Sequence, residues 1–120
     1  MCINKDLLIY SNIVFFILVF LLIKKKYNNI NAVLILGIIS LCYHITEHDM
    51  LYACDILIGC ISMFYILNKC NKKINYWIIL LILVFYFISF IIYYYDKILH
   101  AYLHSIWHTV ICMYILYMCI

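Results

Sequence analysis

Five apolar stretches, at about 7–23, 30–46, 50–67, 74–95 and 98–120, take up most of the 120 residues and constrain the fold more than any other feature. Each comes near the ~20 residues that carry a helix across ~30 Å of hydrocarbon. The links between them, around 24–29, 47–49, 68–73 and 95–97, are short. Short links force consecutive helices to lie side by side and antiparallel, and none is large enough to be a soluble domain. Alternation of period two is absent, which excludes a β-barrel. The expected fold class is all-α: a polytopic membrane helix bundle of about five transmembrane helices, a single integral membrane domain over 1–120.

Composition points the same way. The chain is 71% hydrophobic and 11% charged, with no proline, two glycines and a mean hydropathy of +1.14. A water-soluble globule uses about 25% charged residues to coat itself. Eight lysines, no arginine and five acids cannot do that here. A soluble enzyme, a nucleic-acid binder and a disordered tail are thereby excluded. The net charge of +3 is too small and too dispersed for a nucleic-acid partner. The first apolar stretch runs into Lys24, Lys25 and Lys26 rather than a small-residue cleavage site, so it reads as a retained signal anchor. Seven scattered cysteines without a CxxC pair argue against a disulfide framework or zinc knuckle. Most read as small apolar fillers; Cys70, among lysines beside a span, is a weak acylation candidate.

Lysine counting orients the bundle. Lys24, Lys25 and Lys26 follow the first span, and Lys69, Lys72 and Lys73 follow the third. These two links share one side, which the positive-inside rule makes cytoplasmic. The other links carry Glu47, Asp49 and Asp96 with only Lys97. The expected topology is N-terminus outside or lumenal and C-terminus cytosolic.

Ionisable groups inside spans are costly and usually face the bundle interior. The first and fourth spans hold almost none and read as lipid-facing wall. The second holds Ser40 and His44 one turn apart, with Gly37 continuing the stripe. The third holds Asp55, with Gly59 and Ser62 on the same face, so a neighbouring backbone can approach closely. The fifth holds His104 and His108 at i and i+4, pointing the same way, with His100 one turn nearer the rim. On the expected topology all these groups fall near the non-cytoplasmic end.

Two histidines from one helix and a third from another can close three sides of a tetrahedral metal site, leaving a position for water. That is the layout of a catalytic zinc, which lowers the pKa of its bound water to about 7. Asp55 then orients or deprotonates that water, and Ser40 hydrogen-bonds it or a developing oxyanion. A plainer reading stands beside this one. A single intramembrane histidine is more often a packing residue than a ligand, and an HxxxH pair arises by chance. His48, Glu47 and Asp49 read as wet loop residues and His100 as a snorkelling side chain. The run Tyr93-Tyr94-Tyr95 and the pair Tyr76-Trp77 read as interfacial belts.

Ser40-x-x-x-His44, an Asp at the start of the next helix and His-x-x-x-His in the last one together resemble the signature of the CREST superfamily. That group includes alkaline ceramidases, progestin/adipoQ receptors, and post-GPI-attachment lipase and myomaker-like proteins. Tyr43-His44, Asp49-Met-Leu-Tyr-Ala-Cys-Asp55 and His104-Ser-Ile-Trp-His108 are similar to motifs of the last branch. The resemblance covers about 40–62 and 93–114. It implies a zinc held by His44, His104 and His108, with Asp55 and Ser40 around the water. It also implies cleavage of an amide or ester bond in a membrane lipid or lipid anchor. The family usually has seven helices, with three between the Asp helix and the HxxxH helix. Here only 74–95 intervenes, which preserves the in/out parity but removes wall around the pocket.

The leading expectation is a minimal zinc-dependent intramembrane lipid hydrolase. The alternatives are a noncatalytic myomaker-like fusion or receptor-like protein with a structural zinc, and a small pore lined by His and Asp.

Overall fold

The computed structural model describes residues 3–25, 30–70 and 72–119. Six helices follow one another: α1 (Ile3–Ser11), α2 (Ile13–Lys24), α3 (Ile30–Thr46), α4 (Asp49–Lys69), α5 (Tyr76–Tyr93) and α6 (Lys97–Cys119). No strand occurs among the described residues, so the chain is all-α as expected. Lys26 and Ile120, the limits of a basic link and of the fifth apolar stretch, lie outside the described residues, as does Cys2.

The first apolar stretch is interrupted where α1 meets α2, at Asn12. The Leu8 carbonyl accepts both the Ser11 hydroxyl at 2.9 Å and Asn12 Nδ2 at 2.8 Å. The Asn12 amide bonds Ile9 instead at 3.2 Å, and the Phe15 amide bonds Asn12 at 3.1 Å. Two polar side chains competing for one carbonyl thus convert a helical turn to a tighter i→i+3 turn. Helices α4, α5 and α6 start on side-chain caps. Asn75 accepts from the Trp77 amide at 3.1 Å, and Asp96 accepts from the Ile98 and Leu99 amides at 3.0 Å each. His48 Nδ1 accepts from the Met50 amide at 3.2 Å to open α4. Each cap satisfies amides that have no partner inside the helix.

Helix α6 is the hub, packed against α1, α2, α4 and α5. Its buried side includes Ala101, His104, His108, Ile111, Ile115 and Met118, a spacing of alternating threes and fours that keeps one seam facing inward. Helix α3 buries Val33, Gly37, Ser40 and His44 on the same rhythm. The histidines therefore occupy core positions of two apolar seams. Phe15, Leu18 and Leu22 of α2 complete the interior with Ile66 and Leu67 of α4. At Gly37 an added Cβ would stand 2.9 Å from the Phe15 Cβ, so the two helices approach as closely as they do because that position has no side chain.

Consecutive helices are not all neighbours, contrary to the expectation from short links. Helices α3 and α4 pair, as do α5 and α6, but among the described residues no Cα of α4 comes within 8 Å of one in α5, and side chains of the two helices border a shared cavity instead. The stretch 70–75 is long enough to carry the chain past α6, and Trp107 of α6 then ties α5 by donating to the Ile82 carbonyl at 3.2 Å. The ends pair as the expected parity requires. Lys5 lies 3.8 Å from Glu47 at one end, and Lys72 donates to the Tyr117 carbonyl at 2.7 Å at the other. Two helical runs, Lys5–Lys24 and Tyr76–Tyr93, are long and apolar enough to cross a membrane.

Candidate metal centre

His44, His104 and His108 come together inside the bundle, all three buried, with one ring nitrogen from each within 4.8 Å of the others. Ring centroids are 4.6 Å apart for His104 and His108, 5.2 Å for His44 and His104, and 5.5 Å for His44 and His108. The local cause is simple: i and i+4 on α6 put two rings edge to face on one side of the helix, and α3 brings the third to meet them. The three residues expected from the sequence to be ligands are the three in the cluster.

The protons on these rings decide whether the cluster suits a metal. The Ser11 hydroxyl donates to Leu8, so at 2.8 Å it can only accept from His108 Nδ1. That contact makes Nδ1 the protonated nitrogen of His108 and leaves Nε2 as a lone-pair donor. Nε2 of His44 and Nε2 of His104 are buried without a hydrogen-bond partner. Buried ring nitrogens rarely stay unpartnered. Three buried imidazoles this close together, one held by a hydroxyl behind it, are placed to hold a metal ion.

Asp55 is not a member of the cluster. The Ser40 side chain lies near enough to the Asp55 carboxyl to interact with it, and Ser40 is buried one helical turn below His44. Asp55 and Ser40 border a cavity of about 60 Å³, together with Gly59, Tyr86 and Trp107. None of the three histidines lines that cavity. Ser40, which borders the cavity, and His44, which belongs to the cluster, stand one turn apart on α3, a rise of about 6 Å. No protein-family model, curated protein or solved structure matches the chain.

Two expectations change. The first and fourth apolar stretches are not plain wall, because each supplies a serine that partners a histidine. Ser11 does so as described, and Phe15 packs edge-on to the His108 ring at 5.2 Å. Ser89 of α5 takes His100, whose Nδ1 donates to the Ser89 carbonyl at 2.7 Å. His100 therefore does not snorkel; it is half-buried and anchored to the neighbouring helix. His48, by contrast, is exposed and caps α4. The sequence signal for Ser11 and Ser89 was available, since a lone hydroxyl deep in an apolar run is costly unless it has a partner.

Proposed function

We propose that this chain is a polytopic membrane protein of the CREST type that binds zinc and hydrolyses an amide or ester bond of a membrane lipid. The observation that carries the reading is the convergence of three buried imidazoles with the Ser40–Asp55 pair one turn away. Apolar side chains exposed along α5, including Trp77, Leu81, Phe87 and Ile91, support the membrane part, since water would not tolerate them. The polar seams of α4 and α6 then turn inward, as intramembrane polar groups do.

When bound, zinc supplies a Lewis acid and an acidified water. His44, His104 and His108 would hold the ion as neutral ligands. Ser11 keeps the His108 proton on Nδ1, so its Nε2 stays available. Asp55 is the acidic side chain placed mid-bundle on the cavity side, where it can take a proton from water and return it to a leaving group. Its negative charge also offsets a dication that three neutral rings leave uncompensated. Ser40 acts by holding the Asp55 carboxylate, a positioning role. A cavity of about 60 Å³ admits a few waters and not a whole lipid. A lipid would approach sideways, between α4 and α5, whose side chains border the cavity from two sides.

Asp55→Asn tests the reading, because it keeps the shape and removes the base. The variant should retain metal and fold while losing about 10²–10⁴-fold of lipid-hydrolysing activity. Ser40→Ala should cost less. Zinc-loaded wild-type protein without turnover on ceramides, phospholipids or GPI-linked lipids would sink the hydrolase reading. A second reading, a noncatalytic protein that keeps the metal as a staple, is favoured by the absence of the three histidines from the lining of that cavity. It predicts that Asp55→Asn alters only stability or metal affinity.

A further inference from the structure

At the end of the bundle away from the histidines, Cys70 and Cys119 bring their sulfurs to 3.0 Å across two helices. Cys70 follows α4 and its thiol also donates to the Ile66 carbonyl at 3.1 Å, while Cys119 ends α6. Both pack partly buried against the core formed by Ile66, Leu67, Ile115 and Met118. Lys72 clamps the same junction. Its ammonium donates to the Tyr117 carbonyl at 2.7 Å and sits 3.8 Å from the centre of the Tyr117 ring. The segment after α4 is therefore held against the end of α6 by contacts on both sides of Cys70.

We infer that Cys70 and Cys119 form a reversible disulfide under peroxide stress, joining the end of α4 to the end of α6. A disulfide bond is about 2.05 Å long, so the sulfurs need to close by roughly an ångström. The chemistry balances with a hydroperoxide as oxidant. One thiolate attacks the peroxide, breaking the O–O bond and becoming a sulfenic acid with loss of one water. The second thiol then displaces the sulfenic hydroxyl as a second water and forms the S–S bond. Two thiols are oxidised by two electrons and one peroxide is reduced to two waters. A thiol reductant reverses the step.

Among the described residues, the remaining cysteines do not offer this geometry: Cys42 and Cys60 are exposed on α3 and α4, Cys54 lies on α4, and Cys112 is buried on α6. On the orientation proposed above, the pair faces the cytosol, where glutathione keeps it reduced until oxidant rises. The bridge would tie the helix that carries Asp55 to the one that carries His104 and His108. That consequence rests on the proposed function; the bridge itself does not.

The test uses the full chain in detergent micelles. Protein is treated with hydrogen peroxide, capped with N-ethylmaleimide, denatured and cut with trypsin at Lys72, Lys73 or Lys97, all of which lie between the two cysteines. The peptides containing Cys70 and Cys119 should run as one species without reductant and as two with dithiothreitol. Cys70→Ser and Cys119→Ser should each give two species in both lanes, and Cys112→Ser should behave as wild type. Separate peptides from peroxide-treated wild type would overturn the inference. So would a bridge between two chains, or a hydroxylamine-sensitive acyl group on Cys70.

Discussion

At the residue scale, the most informative contact is the one between Ser11 and His108. A serine that donates to a backbone carbonyl can only accept from an imidazole, so the hydroxyl dictates which nitrogen is free. Partners behind a ligand typically contribute 10–100-fold to metal affinity. Ser11→Ala should therefore weaken zinc binding about 10–100-fold while the fold persists, as read by competition with a chelator of known affinity. An unchanged affinity would show that Ser11 does not orient the ring. Removing a ligand should do more. Wild type should carry about one zinc per chain by elemental analysis, and His44→Ala or His108→Ala should empty it. His48→Ala, at an exposed cap, and His100→Ala, at a side chain held by Ser89, should leave it largely filled. Full metal in both His44→Ala and His108→Ala would mean the ligands are assigned wrongly.

At the element scale, the bundle depends on how closely α2 and α3 approach. An alanine Cβ at Gly37 meets the Phe15 Cβ, an atom fixed to the backbone, so a helix has to move rather than a side chain turn. Overpacking of this kind costs about 1–3 kcal/mol. Phe15 also leans on the His108 ring. Gly37→Ala should thus lower the unfolding midpoint in micelles and disturb metal binding. Gly59 differs, because its nearest neighbour is the flexible end of Leu36 at 3.4 Å. Gly59→Ala should change stability by no more than about 1 kcal/mol, since alanine's better helix propensity offsets the small adjustment. Equal destabilisation by both would remove the close-approach explanation.

At the scale of the whole molecule, the distribution of lysines sets the expected orientation in a membrane. Six lysines occupy the links after the first and third apolar stretches, against one on the other two links. Tags at the C-terminus and within 69–73 should be protected from external protease until the membrane is permeabilised, and a tag at 47–49 should be cut from outside. The reverse pattern would place the histidines near the cytosolic leaflet. The contact of Lys5 with Glu47 at one end and of Lys72 with Tyr117 at the other sets which links share an end, whichever side proves cytosolic.

Much of this protein could be read from residue order alone, for a definite reason. Helix class and approximate limits follow from local hydrophobic runs, and α3 spans Ile30–Thr46 as expected. The cluster of His44, His104 and His108 was legible because an i,i+4 pair needs only helical periodicity, and parity of the links places the third ring at the same end. Contacts that depend on which helices become neighbours were not legible. Pairing of α1 and α2 with α6 brings Ser11 and Phe15 to His108, and no local pattern in 3–24 specifies that partner. The separation of the α4 and α5 backbones and the meeting of Cys70 with Cys119, 49 positions apart, arise in the same way. Periodicity fixes which face of a helix turns inward. Only the packed bundle decides what that face meets, because many apolar seams are interchangeable until close approach at Gly37 and the buried hydroxyls single out one arrangement.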